Sequence, residues 1–221
     1  KLTNHANILS RPRIKFLYIH HVFEDEAVNF DVFLCELGKH HSFIRYSEAV
    51  HKIHTNTIDK PYIVLSSDDG LKNNLIAMNV MDNLGIKGCF FVNPDTIGLS
   101  DYDQIKTFCN RQLNFPPTEF LNWNDLETML RNGHEIGSHT IGHIRISDKT
   151  LPEVEDNLNE SFRILKERLG GVNHFAFPYG RFSDFNAEAM ELVFNAGYVS
   201  CASAERGCHF NLQIPPDPKR I

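Results

Sequence analysis

The sequence has no apolar run near the ~20 residues a membrane-spanning helix needs. A transmembrane protein of the helical kind is therefore not expected. It has no block of five or six like charges, and its 22 Lys and Arg are outnumbered by 28 Asp and Glu. That balance argues against a nucleic-acid partner, which favours basic surfaces. Cysteine is sparse and odd in number: Cys35, Cys89, Cys109, Cys201 and Cys208, with no CxxC pair. A disulfide scaffold and a Cys-based zinc site are thereby disfavoured, and reduced, partly buried thiols are expected. No Gly-rich phosphate loop is present, which disfavours a phosphate-binding barrel. No low-complexity stretch, long linker or internal repeat divides the 221 residues, so one domain spanning 1–221 is expected. No secretory leader opens the chain, so a cytoplasmic protein is expected. The start at Lys1 rather than Met also fits a trimmed N-terminus.

What is present is an alternation. Short apolar runs at 15–19, 62–65, 87–92, 134–139, 173–177 and 198–202 read as strands. Between them lie helical periods. Leu75, Met78, Met81 and Leu84 end at Gly85; Leu126, Met129 and Leu130 follow a capping Asn122; Val154, Leu158, Phe162, Leu165 and Leu169 end at Gly170. Strand–helix alternation implies parallel strands joined by right-handed crossovers. The expected fold is α/β, a distorted or incomplete (β/α) barrel of about seven parallel strands. Residues 100–120, with Phe108, Phe115 and Pro116-Pro117, break the alternation and read as an insertion over one side of the mouth.

In such barrels chemistry gathers at the C-terminal strand ends. His20, Asp68-Asp69, His139 and Pro178-Tyr179 each fall at or just after one. Adjacent carboxylates repel unless a cation or donors are near; alone, Asp68-Asp69-Gly70 is equally a turn. His139 and His143 stand four apart and can chelate one cation if they share a face, as on a helix. Thr140 stands where HExxH needs Glu, which disfavours a zincin protease. One carboxylate and two imidazoles suit a divalent cation, Zn above all, with Co, Ni or Fe also accommodated.

Taken in order, Ser66-Ser67-Asp68-Asp69-Gly70, His139-x-x-x-His143 and Phe175-Ala176-Phe177-Pro178-Tyr179-Gly180 resemble the polysaccharide deacetylases, carbohydrate esterase family 4. The resemblance runs from about residue 15 to 221. It implies a distorted barrel and metal-dependent hydrolysis of an N-acetyl group from an amino sugar. By that resemblance Asp69, His139 and His143 hold the metal, and Asp68 is the general base acting on a metal-activated water. Pro178 and Tyr179 wall the groove, and the Tyr179 N–H donates to the oxyanion. Ser67 stands where the family has Phe, and is expected at the substrate rim. The family's Arg before Pro-Tyr is missing, and Arg206 or Arg220 is expected to replace it, Arg220 also touching substrate. No Leu-x-His lies near the C-terminus. The run Leu17-Tyr18-Ile19-His20-His21 instead resembles a subgroup carrying that histidine on the first strand, so His20 is the expected general acid, with His21 and His209 weaker candidates. A surface-polysaccharide precursor such as an O-antigen unit is the expected substrate class. The rival readings are a deformylase or deacetylase of a small nucleotide- or lipid-linked sugar, and a sugar-binding barrel without catalysis.

Overall fold

The structure, a computed structural model, describes residues 10–212. Strand β1 (Arg13–Ile19) is followed by helix α1 (Ala27–Gly38), the short strand β2 (Ser42–Phe43) and helix α2 (Tyr46–His54). Then come β3 (Pro61–Ser67), α3 (Asn74–Asn83), β4 (Gly88–Val92) and α4 (Tyr102–Phe108), which runs into a π-helical turn at Cys109–Leu113. Helix α5 (Trp123–Arg131), β5 (Glu135–Ser138), α6 (Leu151–Leu169), β6 (His174–Ala176), α7 (Ala187–Ala196) and β7 (Ser200–Ala202) complete the order.

All seven strands lie in one parallel sheet of order β1-β3-β4-β5-β6-β7, with β2 sharing an edge of β3. The sheet curls into the expected incomplete barrel. Paired N–H and carbonyl groups of Ile14 and His209, both 2.9 Å, tie the chain after β7 back to β1.

Residue alternation in the strands sorts the core into two layers. Ile63, Leu65, Phe90, Val92 and Phe175 face outward onto α3, α5, α6 and α7. Tyr62, Val64, Cys89, Phe91 and Ala176 face the barrel interior, where Tyr46, Ala49, Val50 and Ile53 of α2 pack against them. Helix α6 shows why the elements form where they do. Thr150 and Glu153 close a capping box at its start, and Gly170 ends it at φ 81°. Its Val154, Leu158 and Leu165 stripe is fully buried.

Register sets the rim. Ile19 pairs with Ser67, Val92 with Ser138, and Ala176 with Ala202. The residues that follow these ends are therefore neighbours: His20, Asp68, Asn93, His139 and Phe177.

Candidate metal centre and catalytic rim

Asp69, His139 and His143 place one ligand atom each within 4.8 Å of one another, and all three residues are buried. The two Nε2 atoms lie 3.6 Å (His139) and 3.4 Å (His143) from the same oxygen, Asp69 Oδ1. That oxygen has no hydrogen-bond partner, and neither has His143 Nδ1. Buried polar atoms without partners are costly, and a cation among the three ligands would satisfy the oxygen. The tautomer of His139 fits as well. Its Nδ1 lies 2.7 Å from the Ala176 carbonyl. A carbonyl only accepts, so Nδ1 carries the proton and the Nε2 lone pair faces Asp69. Burial holds His139 well below its ordinary value of 6.5, and lowers His143 to about 4, so both rings are neutral. Burial likewise pushes Asp69 up to about 7, the cost of a carboxylate with no cation beside it. The donor set therefore fits a divalent ion.

The two histidines do not share a helix face. Residues 140–142 form a turn, with Thr140 at φ 65° and His143 at φ 55°. The turn is held by neighbours. Asn93 donates to the carbonyls of His139 and Thr140, Ile141 N–H donates to Asn157 (3.1 Å), and Asp95 N–H to the Ile141 carbonyl (3.1 Å). Asp69 is itself left-handed at φ 71°.

Asp68 follows β3, its N–H donating to the Ile19 carbonyl at 3.1 Å. This bond sets it beside His20. Burial and the Asp69 charge push the Asp68 carboxyl well above the usual carboxylate range, and no cation among the described residues offsets them. Among the described residues, no arginine takes the expected place at the base. Arg206 is exposed, and Arg220 lies outside the described residues. His20 is exposed, and its ring stands 5.6 Å from Tyr18. Its charge would depress both His139 and His143, so it belongs to the same rim. Burial and then the neighbouring His21 lower His20 itself. His209 pairs with Ile14 near the start of β1, at the opposite end of the barrel, which removes it as an acid.

Tyr179, at φ 66°, is 40% exposed, with its ring 5.0 Å from that of His143. Among the described residues no backbone carbonyl accepts from its N–H. Pro178, expected on the groove wall, is buried. Ser67 is also not at the rim surface. It is 1% exposed, and its hydroxyl donates to Asn74 Oδ1 at 2.7 Å.

Three residues here had no forecast. Asn93 follows the end of β4, so the strand-end rule applied to every strand would have found it. Arg145 lies over the Tyr179 ring at 3.9 Å and pairs with buried Asp184. Gln112, in the π-helical turn, accepts from the Tyr179 hydroxyl at 3.5 Å.

Known proteins give the geometry its context. The sequence model of one family, polysaccharide deacetylase, matches residues 55–200. No protein of curated function matches the chain. Among solved structures, IcaB from Ammonifex degensii aligns with a TM-score of 0.73 at 18% identity, over 86% of this chain and 83% of that one. A de-N-acetylase from Aggregatibacter actinomycetemcomitans aligns at 0.68 and 15% identity, over 93% and 92%. The deacetylase PplD from Streptococcus pyogenes, solved with acetate, aligns at 0.66 and 16%, over 85% and 82%. At such identities these likenesses are of fold.

Proposed function

The chain belongs to the polysaccharide deacetylase family, hydrolases of amide bonds in N-acetylated carbohydrate, and from that premise we propose a division of labour at the rim. Asp69, His139 and His143 hold a divalent cation, zinc by preference for one carboxylate with two imidazoles. When bound, the cation supplies Lewis-acid polarisation of the acetyl carbonyl and of water. Asp68 takes a proton from the attacking water. The Tyr179 N–H, with no backbone partner among the described residues, donates to the oxyanion that forms on the acetyl group. His20 passes a proton to the departing sugar amine. Because His20 is lowered by its surroundings, the proton it delivers is best drawn from the one that Asp68 collects. The products are acetate and a free amino sugar.

The observation carrying this reading is the buried Asp69–His139–His143 set beside a carboxylate that binds none of them. The test is acetate release from a panel of N-acetyl and N-formyl sugars, free, polymeric, and nucleotide- or lipid-linked, by the zinc-loaded protein. Asp68→Asn should abolish turnover while keeping the metal, and full activity in that variant would sink the base assignment. That no cation among the described residues lies near Asp68 favours a second reading, a sugar-binding barrel without catalysis. Metal-loaded protein that binds acetamido sugars and releases no acetate would establish it. A cytoplasmic site of action on a surface-polysaccharide precursor is part of the same proposal, tested by cell fractionation and by the lipid-linked arm of the panel.

A further inference from the structure

The segment after β4 is packed and hydrogen-bonded at both ends. Ile105, Cys109 and Phe120 pack with Leu71 in a core cluster of their own, ringed by Leu99, Phe108, Leu113 and Phe115. Its far end is stitched to the chain just past Asp69. Leu121 N–H donates to the Gly70 carbonyl (2.9 Å), and Lys72 N–H to that of Glu119 (2.7 Å). Between these anchors the π-helical turn reaches over the rim in two directions. Toward the loop after β6, the Gln112 carbonyl takes the Tyr179 hydroxyl at 3.5 Å. Toward the end of β1, the Phe115 ring lies 4.9 Å from that of His21. Gln112 and Phe115 are three residues apart, so one short stretch of chain touches both the loop after β6 and the residues after β1.

A polymer lying across a deacetylase site needs room on both sides of the unit being cut. Here one flank is closed by packed, hydrogen-bonded chain. The exposed Tyr18 and His20, at the end of β1, mark the approach that remains. We infer that the site is a pocket for the terminal acetamido sugar of a short or end-presented glycan, with residues 109–115 as the wall that excludes a through-running chain. This inference rests on the deacetylase reading above and narrows its substrate class.

The experiment uses the zinc-loaded full chain and β-1,4-linked N-acetylglucosamine oligomers from dimer to hexamer, with free amines mapped by mass spectrometry. The expected result is one acetate lost per chain, always from the same end, with kcat/KM flat against length. Internal units deacetylated by the unaltered protein, or kcat/KM climbing with length, would overturn the wall. Phe115→Ala should open it, giving several acetates per hexamer, and a variant that still loses one acetate from one end would overturn the wall. A second measurement does not need turnover: saturation-transfer NMR of the tetramer with Asp68→Asn. Saturation concentrated on a terminal acetyl methyl supports the pocket, and equal saturation along the chain overturns it. Neither turnover nor saturation with any acetamido sugar would overturn the deacetylase reading, and the pocket with it.

Discussion

Among the described residues six non-glycine residues have positive φ, and four of them are Asp69, Thr140, His143 and Tyr179. Two are proposed ligands, one is the proposed oxyanion donor, and Thr140 lies between the histidines. Thr140 is the most telling, because a β-branched side chain in the left-handed region costs roughly 1–3 kcal/mol. Such strain persists only when the surroundings over-determine it. Asn93, 0% exposed, is the main restraint, since its one amide nitrogen holds two successive carbonyls of the turn. Asn93→Ala should therefore act twice. Losing both bonds in a buried place should destabilise the metal-free protein by about 1–3 kcal/mol, measured by urea unfolding. The relaxed turn should also weaken zinc binding by about 10–100-fold, as other outer supports of metal ligands do, measured by competition with a chromophoric chelator. Unchanged zinc affinity would show that the ligands hold their geometry without the clamp.

Among the elements, α2 has the least expected position. Its stripe of Tyr46, Ala49, Val50 and Ile53 packs inside the barrel, while the remaining helices named above with the outer core lie outside the sheet. Its first turn is held by β5: both carboxylate oxygens of Glu135 accept from Ser47 N–H (3.1 and 3.2 Å), and one accepts from its hydroxyl. Ser47 Oγ also lies 2.7 Å from His174 Nε2, while His174 Nδ1 meets Ser200 Oγ at 2.9 Å. Ser, His and Glu together invite comparison with a nucleophilic triad. The carboxylate here is on the serine side of the ring, however, and the cluster lies at the starts of β5, β6 and β7, away from the rim. Its work is to anchor α2. Burial pushes the Glu135 carboxyl up, but bonds from His174 and Ser47 outweigh this and hold it below its ordinary 4.5. The folded state thus takes up its proton at lower pH than the unfolded chain. The stabilisation is complete above pH 4.5 and is lost as pH falls through the lower folded value. Glu135→Gln should cost about 1.5–3 kcal/mol at pH 7, with the gap to the unaltered protein closing toward pH 3 in denaturant titrations. A gap constant with pH would reject the charge as its source. Leu158→Ala, in the buried stripe of α6, should cost about 2–5 kcal/mol at every pH. The stripe of α6 was readable from sequence because it is long and capped at both ends. Helix α2 keeps a helical period in Tyr46, Ala49, Val50 and Ile53, but it is only nine residues long, and nothing local says that it turns inward.

At the scale of the whole molecule the barrel separates two polar systems, a structural one at the strand starts and the rim at the strand ends. The rim was legible in sequence because its residues lie at or a few residues past the ends of apolar strands, and parallel register then carries His20, Asp68 and His139 to one level. What lies over the rim was not legible. The approach of Gln112 to Tyr179 and of Phe115 to His21 depends on how residues 100–120 fold on themselves, and the stacking of Arg145 on Tyr179 joins segments far apart in sequence. The rim also bears on global stability. Without a cation the fold buries Asp69 Oδ1 unpartnered beside two neutral imidazoles. A ligand that binds the folded state alone stabilises it by about 2.7 kcal/mol when present at 100 times its Kd. For a chain of this size that is a Tm change of roughly 5–10 °C. Dialysis against a chelator should therefore lower Tm by that amount together with the activity, and added Zn²⁺ or Co²⁺ should restore both. His139→Ala should already have the lower metal content and should show no further drop on chelation. If the chelated and untreated proteins melt together, with zinc measured in the untreated sample, then the metal is bound elsewhere, and Asp69, His139 and His143 are not its ligands.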